Sequence, residues 1–472
     1  MVWTTFSMVI RSVVSLLQVS ILTRYLDKSE FGLIAIATVF IGFTQIFLDL
    51  GLSSGIMHKQ DITSKQYSSL FWLNIFTGII LTLILIAFIP LIANAYNDNS
   101  LIPILSFLSL TIFFSSLGSQ HRTVQQKEMR FKYIAIIEIV CSFLTMILAV
   151  ILAIHGYGVF SLVYSTLFNA ILNNLLFLII GLYNDRNIRL YFRLQDTYPF
   201  LKIGVFSLGT RVLDYFSREI DIIFISATYG KDILGLYSLC KKLIIALYNA
   251  INPIITKVLT PLFAKIQTDK SRIKNVYYNL IETLSLTNFP IYFLVSIFST
   301  GILYFIYGEE YKEGAIILSI LSVYYGKLST GNPVGSLQIA LGRTDAGFYW
   351  TIFRIVLTLI AVYIGSFFSI EGLVFSMFIM SLLSIPLSWR ITIRPLIGGE
   401  FWEYFFLSFK PFIVISAVSV PFYFFFYDTT SIFLMIIFAI IFILTTIVVS
   451  YKIFPKSYII NTLIINNINK RS

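Results

Sequence analysis

Long apolar runs alternate with short polar connections along the whole chain. Fourteen runs stand out, near residues 3–23, 31–56, 68–94, 101–121, 133–154, 158–182, 200–229, 233–258, 282–307, 314–340, 346–367, 371–393, 404–427 and 430–451. Most reach the roughly 20 residues that an α-helix needs to cross a hydrocarbon core. The alternating segments of about 10 residues that build a membrane β-barrel do not occur. The pattern therefore predicts an all-α polytopic membrane protein with about 14 transmembrane helices. The last two runs are apolar and nearly featureless, and are expected at the periphery.

The seventh run breaks the apolar rule. It reads FLKIGVFSLGTRVLDYFSREIDIIFISATYG over 200–230. At about 100° per residue, Ser207, Arg211, Asp214, Arg218 and Asp221 fall on one narrow face. Charges at bilayer depth cost several kcal/mol, roughly 3 or more each, unless they face protein or water. Such a face marks a candidate functional site.

Composition agrees with this class and narrows it. Only 12% of residues are charged and 57% are hydrophobic, with a mean hydropathy of +0.86; soluble chains carry about 25% charged residues. The net charge of +11 is spread through short connections, which argues against nucleic acid. With the N-terminus placed inside, the basic residues outside the spans concentrate in the cytoplasmic connections. The opposite set keeps only Arg24, Lys28, Lys231 and Lys312, which predicts cytoplasmic N- and C-termini. The first run begins at Trp3, so no cleavable leader is expected. Two cysteines, Cys141 and Cys240, both fall within spans and give no disulfide framework.

Sliding the chain by 203 residues lays Trp3–Ile34 on Phe206–Tyr237 without a gap. Arg11 then meets Asp214, Lys28 meets Lys231, and Gly32-Leu33 meets Gly235-Leu236. A repeat of this kind predicts two six-helix lobes, 1–195 and 196–398, followed by two additional helices and a cytoplasmic tail over 399–472. It also sets the first and seventh helices face to face.

Several stretches in order resemble one known family. They are Leu22-Thr23-Arg24 through Phe31-Gly32-Leu33, Asp49-Leu50-Gly51, the loop Gln120–Phe131 within SQHRTVQQKEMRF, NPIITKVLTPLFAKIQ over 252–267, and GNPVGSL over 331–337. The chain resembles the multidrug/oligosaccharidyl-lipid/polysaccharide exporter superfamily, in its colanic-acid-exporter-like branch. The resemblance implies a flippase in the bacterial inner membrane. Its cargo would be an undecaprenyl-diphosphate-linked oligosaccharide, carried by alternating access for O-antigen, capsule or exopolysaccharide assembly. It further implies no cofactor, coupling to a proton or sodium gradient, and contact with membrane lipids, a polysaccharide polymerase and chain-length proteins.

A diphosphate cargo needs Arg or Lys donors in a partly desolvated site. The candidate cavity cations are Arg11, Arg211, Lys327 and Arg354, all well inside their spans. Candidate intramembrane anions include Asp49, Glu138, Asp214, Asp221 and Glu282. For Asp49, Asp214, Arg218 and Asp221 two readings stand: gating or ion coupling, and structural pairing. The three- and four-residue spacings from Arg211 to Asp221 also suit one intrahelical ladder. Pro253 and the pair Asn332-Pro333 interrupt the eighth and tenth spans, as hinges or static kinks.

Two rival functions use different residues. A drug or cation antiporter of the same superfamily would favour buried carboxylates over buried arginines. An enzyme of polysaccharide assembly would need a positioned acid, base or metal. The three histidines, His58, His121 and His155, read as loop residues far apart in sequence, and no metal-ligand spacing occurs.

Overall fold

The computed structural model describes residues 2–59, 61–184 and 190–454; the side chains of residues 2, 184, 203, 205–207, 253–258 and 344 lie outside that description. Ser207 and the Pro253 ring are among those side chains. Every regular element in the described residues is helical. The chain packs as two compact units that divide between Ser238 and Leu239.

The first unit contains α1 (Val2–Leu22), α2 (Lys28–Leu48), the short α3 (Leu52–His58), α4 (Ser64–Tyr96), α5 (Leu101–Lys127), α6 (Phe131–Ile154), α7 (Phe160–Asn184) and α8 (Leu194–Thr228). It also takes the first turns of α9 (Gly230–Lys265). The second unit continues through α10 (Lys270–Ile297), α11 (Ser299–Ile306), α12 (Ala315–Thr330), α13 (Pro333–Ala340), α14 (Thr344–Ser366) and α15 (Ile370–Leu383). A bent stretch follows, with α16 (Ile385–Ser388), a π-helical turn at Trp389–Ile393 and α17 (Arg394–Ile397). Helices α18 (Phe401–Phe426) and α19 (Ile432–Ile453) end the described chain.

Each of the fourteen apolar runs coincides with a helical rod. Eleven described helices are long and apolar enough to cross a membrane, and twelve if the pair bent by 44° at Ser384 counts as one span. The other two rods are α8, which carries the charged face, and α12–α13, which breaks at Gly331-Asn332. Local signals start the rods where the polar connections end. Thr63 accepts from the Gln66 amide (3.3 Å) while Gln66 reaches back to the Thr63 amide (3.1 Å), and Asp269 caps α10 through the Arg272 amide (2.9 Å).

Helices in lipid gain little by burying apolar surface against one another, so small residues and interhelical hydrogen bonds hold them together. In the first unit Asn74 on α4 donates to the Ser116 carbonyl (3.0 Å) and to Ser119 on α5. Gly78 sits against Ser116, and Gln120 donates to the Tyr67 carbonyl (3.0 Å). In the second unit Asn288 on α10 donates to Ser329 on α12 (3.0 Å). Ser322 donates to the Tyr292 carbonyl (2.5 Å), Ser296 pairs with Ser319 (2.6 Å), and Gly326 sits against Tyr292. Each unit thus has an antiparallel helix pair closed by an Asn–Ser bond and a glycine contact.

Helix α8 lies antiparallel along α2–α3. Gly55 abuts Phe200, Gly51 abuts Gly204 and Gly42 abuts Tyr215, whose hydroxyl donates to the Val39 carbonyl (2.6 Å). Beyond α8, Gly32 lies on the Lys231 carbonyl and Gly235 on the Lys28 carbonyl. These are the residues that the 203-residue slide superposes, and they meet reciprocally. A Cβ at either glycine would collide with backbone. The principal partners of α8 are accordingly α2, α3 and α4, while α1 packs on α6.

One loop assignment changes. The stretch Gln120–Phe131 is helical as far as Lys127, so α5 carries His121 and Arg122. His121 is buried, with its ring against Phe71 and Gly181. Nothing in QHRTVQQKEM contains Gly or Pro, and Gln, Arg, Lys and Glu all favour helix. The turn falls instead at Glu128–Arg130, where Met129 has φ +57°.

Candidate functional site

The buried face of α6 runs Ile134, Ile137, Glu138, Cys141, Thr145, Ala149 and Ala153, a helical stripe with one carboxylate in it. Glu138 is 7% exposed. Arg11 of α1 donates Nη1 to Glu138 Oε2 (2.7 Å), and Arg122 of α5 donates Nη2 to Glu138 Oε1 (2.5 Å). A buried carboxylate without partners would be expensive; two guanidiniums, one on each oxygen, offset that cost. Each guanidinium has five N–H donors, and the two arginine side chains are 45% and 46% exposed. Each therefore keeps N–H donors beyond the one given to Glu138.

A second network adjoins the first. Arg211, in the middle of α8 and 43% exposed, donates Nη1 to Asp49 Oδ2 (2.7 Å). The other oxygen of Asp49 accepts from the Ser53 amide (3.0 Å) and hydroxyl (2.6 Å), so Asp49 also caps α3. Ser53 pairs in turn with Thr123 (2.9 Å), the residue after Arg122 on α5. Between Asp49 and α3 the chain turns through Leu50 at φ +44° and Gly51 at φ +72°. A bulky residue with positive φ is strained, and the Gly51–Gly204 contact and the Asp49 cap hold the turn in place. Arg11 and Arg122 thus share Glu138, Arg211 holds Asp49, and the Ser53–Thr123 bond brings the second network to α5 one residue from Arg122.

The rest of the α8 face divides. Arg211 reaches across to α2, so the ladder expected from spacing does not begin with an Arg211–Asp214 pair. Asp214 is half-buried and Arg218 exposed. Asp221 is buried, accepting from its neighbouring Ile222 amide (2.9 Å) and from the Tyr237 hydroxyl.

In the second unit Lys327 donates to the Ser381 carbonyl (2.6 Å) and lies within electrostatic reach of Arg354. Asn332, at the break between α12 and α13, accepts from the Tyr248 hydroxyl (2.7 Å) and donates to Asn252, which donates to the Tyr248 carbonyl (2.9 Å). Pro333 occupies the first turn of α13, where its missing N–H costs nothing. The interrupted tenth span is thereby tied to α9 next to Pro253, whose own side chain lies outside the described residues.

Ser53, Arg122 and Thr123 are site residues that the sequence reading left out, the last two because they follow the end of an apolar run. The absence of a helix breaker after Gly118 is the signal that locates Arg122 and Thr123.

Taken together, the rods and their polar core define an all-α multi-pass membrane protein of transporter fold. Over 96% of this chain and 98% of the other, its structure is similar to that described as "Lipid II flippase MurJ, inward closed conformation" (TM-score 0.77, 16% identity). The model of the family described as "Polysaccharide biosynthesis protein" matches residues 21–316, and the chain belongs to that family. It is 27% identical over 414 residues to the lipopolysaccharide biosynthesis protein WzxC of Escherichia coli (strain K12), covering 87% of this chain and 83% of WzxC. It is 28% identical over 350 residues to the teichuronic acid biosynthesis protein TuaB of Bacillus subtilis (strain 168), covering 74% of this chain and 72% of TuaB.

Proposed function

We propose that this protein is a flippase for diphosphate-linked oligosaccharides, carrying repeat units on a polyprenyl anchor from the inner to the outer leaflet of the bacterial cytoplasmic membrane. The observation that carries this reading is the arginine set: three half-exposed guanidiniums on apolar helices in a member of a polysaccharide biosynthesis family. A diphosphate matches them in charge and in geometry, because each phosphate presents several acceptor oxygens to fork-shaped donors. The relatives named for lipopolysaccharide and teichuronic acid biosynthesis, and the flippase of similar fold, support a lipid-linked glycan as cargo. In this reading both termini face the cytoplasm, the basic residues hold that orientation, and an ion gradient drives the cycle. The transferred repeat unit passes on to the polymerase and chain-length proteins of the same assembly line.

The test is complementation of a strain that lacks its own exporter. Arg211→Ala should abolish surface polysaccharide at normal membrane levels of the protein. Ser53 still satisfies Asp49 in that variant, so the fold survives. Normal polysaccharide with Arg211→Ala would remove Arg211 from the mechanism.

A further inference from the structure

Among the described residues, Glu138 has no hydrogen-bonding partners other than the two arginines of the site. Asp49 differs, since it also caps α3 and supports the strained turn at Leu50. Glu138 is 7% exposed while Arg11 and Arg122 are 45% and 46% exposed. The carboxylate is thus buried against two guanidiniums that stay half-exposed.

We infer that Glu138 is a resident counter-ion of the phosphate seat, which weakens the hold of Arg11 and Arg122 on a diphosphate so that cargo is released after transfer. The inference rests on the flippase reading. A carrier gains nothing from a seat that binds its cargo tightly on both sides of the membrane, because transport needs release as well as capture. Two bare guanidiniums in a desolvated site would hold a diphosphate strongly. A carboxylate between them uses one donor of each and repels a phosphate brought to the open edges. It also keeps the empty seat stable, since neighbouring guanidiniums without it would repel each other. Glu138 therefore both stabilises the vacant carrier and lowers the affinity of the loaded one. A purely structural fastener would do only the first.

The two roles give opposite signs when the charge is removed. The full chain is purified in lipid nanodiscs, and binding of farnesyl diphosphate is measured against farnesol as the uncharged control. Glu138→Gln keeps the size of the side chain and removes its charge. The expected result is binding about tenfold tighter than wild type, together with surface polysaccharide reduced several-fold in the complemented strain because release slows. Adding Arg122→Gln to that variant should return the affinity to wild type or below. Equal or weaker binding by folded Glu138→Gln would overturn the inference. Glu138→Asp guards against loss of fold: its carboxylate is one methylene short of bridging both arginines, so its affinity should fall between the other two. Failure of both variants to fold would also overturn the proposal, assigning Glu138 to structure alone. Wild-type protein that binds farnesyl diphosphate no better than farnesol would sink the phosphate seat itself. Binding by wild type without a gain in Glu138→Gln would remove only the counter-ion role.

Discussion

The two units build the same kind of scaffold and put different chemistry on it. The α4–α5 pair of the first unit and the α10–α12 pair of the second close in the same way, with an asparagine reaching a serine and a glycine letting the backbones approach. Their cations differ. In the first unit Arg11, Arg122 and Arg211 are half-exposed and neutralised by two carboxylates. In the second, Lys327 is held by a backbone carbonyl and lies within electrostatic reach of Arg354. A guanidinium paired with a carboxylate can exchange that anion for another. An ammonium solvated by a backbone carbonyl is anchored to a helix. Under the proposed function, the contrast assigns anion recognition to the first unit and gives Lys327 the role of fastening α12 to α15.

The strongest way to break this comparison is to destroy the shared scaffold. Gly32→Val or Gly235→Val drives a branched side chain into a backbone carbonyl that cannot retreat. Overpacking of this kind costs roughly 3 kcal/mol or more, and folded protein in the membrane should disappear on fluorescence-detected size exclusion. Next comes the division of cations. Arg11→Met should weaken farnesyl diphosphate binding by about tenfold or more, since charge-assisted phosphate bonds are lost. Lys327→Met should leave that affinity within about twofold, because its ammonium is committed to the Ser381 carbonyl and supplies no charge-assisted bond to the phosphate. Equal losses in the two variants would erase the distinction between the units.

Smaller effects sharpen the scaffold side. Asn74→Ala and Asn288→Ala should each lower stability by about 1 kcal/mol, the scale of an interhelical hydrogen bond in a membrane, read as matched drops in melting temperature. The smallest effect is at a connection. Burial alone would raise the Asp98 carboxyl, but hydrogen bonds from Lys231 (2.8 Å) and the Ser100 amide (3.0 Å) hold it below its ordinary value. A depressed carboxyl contributes stability above its unfolded pKa of about 3.9. That contribution should be lost as the pH falls through the lowered folded value, and for so exposed a pair it is at most about 0.5 kcal/mol. Asp98→Asn should flatten this part of the acid melting profile.

Hydropathy made the helices legible because membrane spans must be apolar and internally hydrogen-bonded. It made Arg11, Arg211, Lys327 and Arg354 legible for the same reason, as charges where charge is costly. Their partners were not. Asp49 lies 162 residues from Arg211, and Glu138 lies 127 from Arg11; only packing brings them together. Arg122 was hidden because α5 continues beyond its apolar part, so hydropathy ended the helix too soon. Spacing alone could not show that Arg211 pairs with Asp49, just past the end of α2.

The central claim is that the first-unit arginines carry the diphosphate. Its most direct test is flipping in proteoliposomes, with a fluorescent polyprenyl-diphosphate oligosaccharide loaded in one leaflet and its arrival in the other read by impermeant quencher. Wild-type protein and Lys327→Met are predicted to translocate it, whereas Arg122→Gln should be slower by about tenfold or more. Wild-type speed from folded Arg122→Gln would contradict the account.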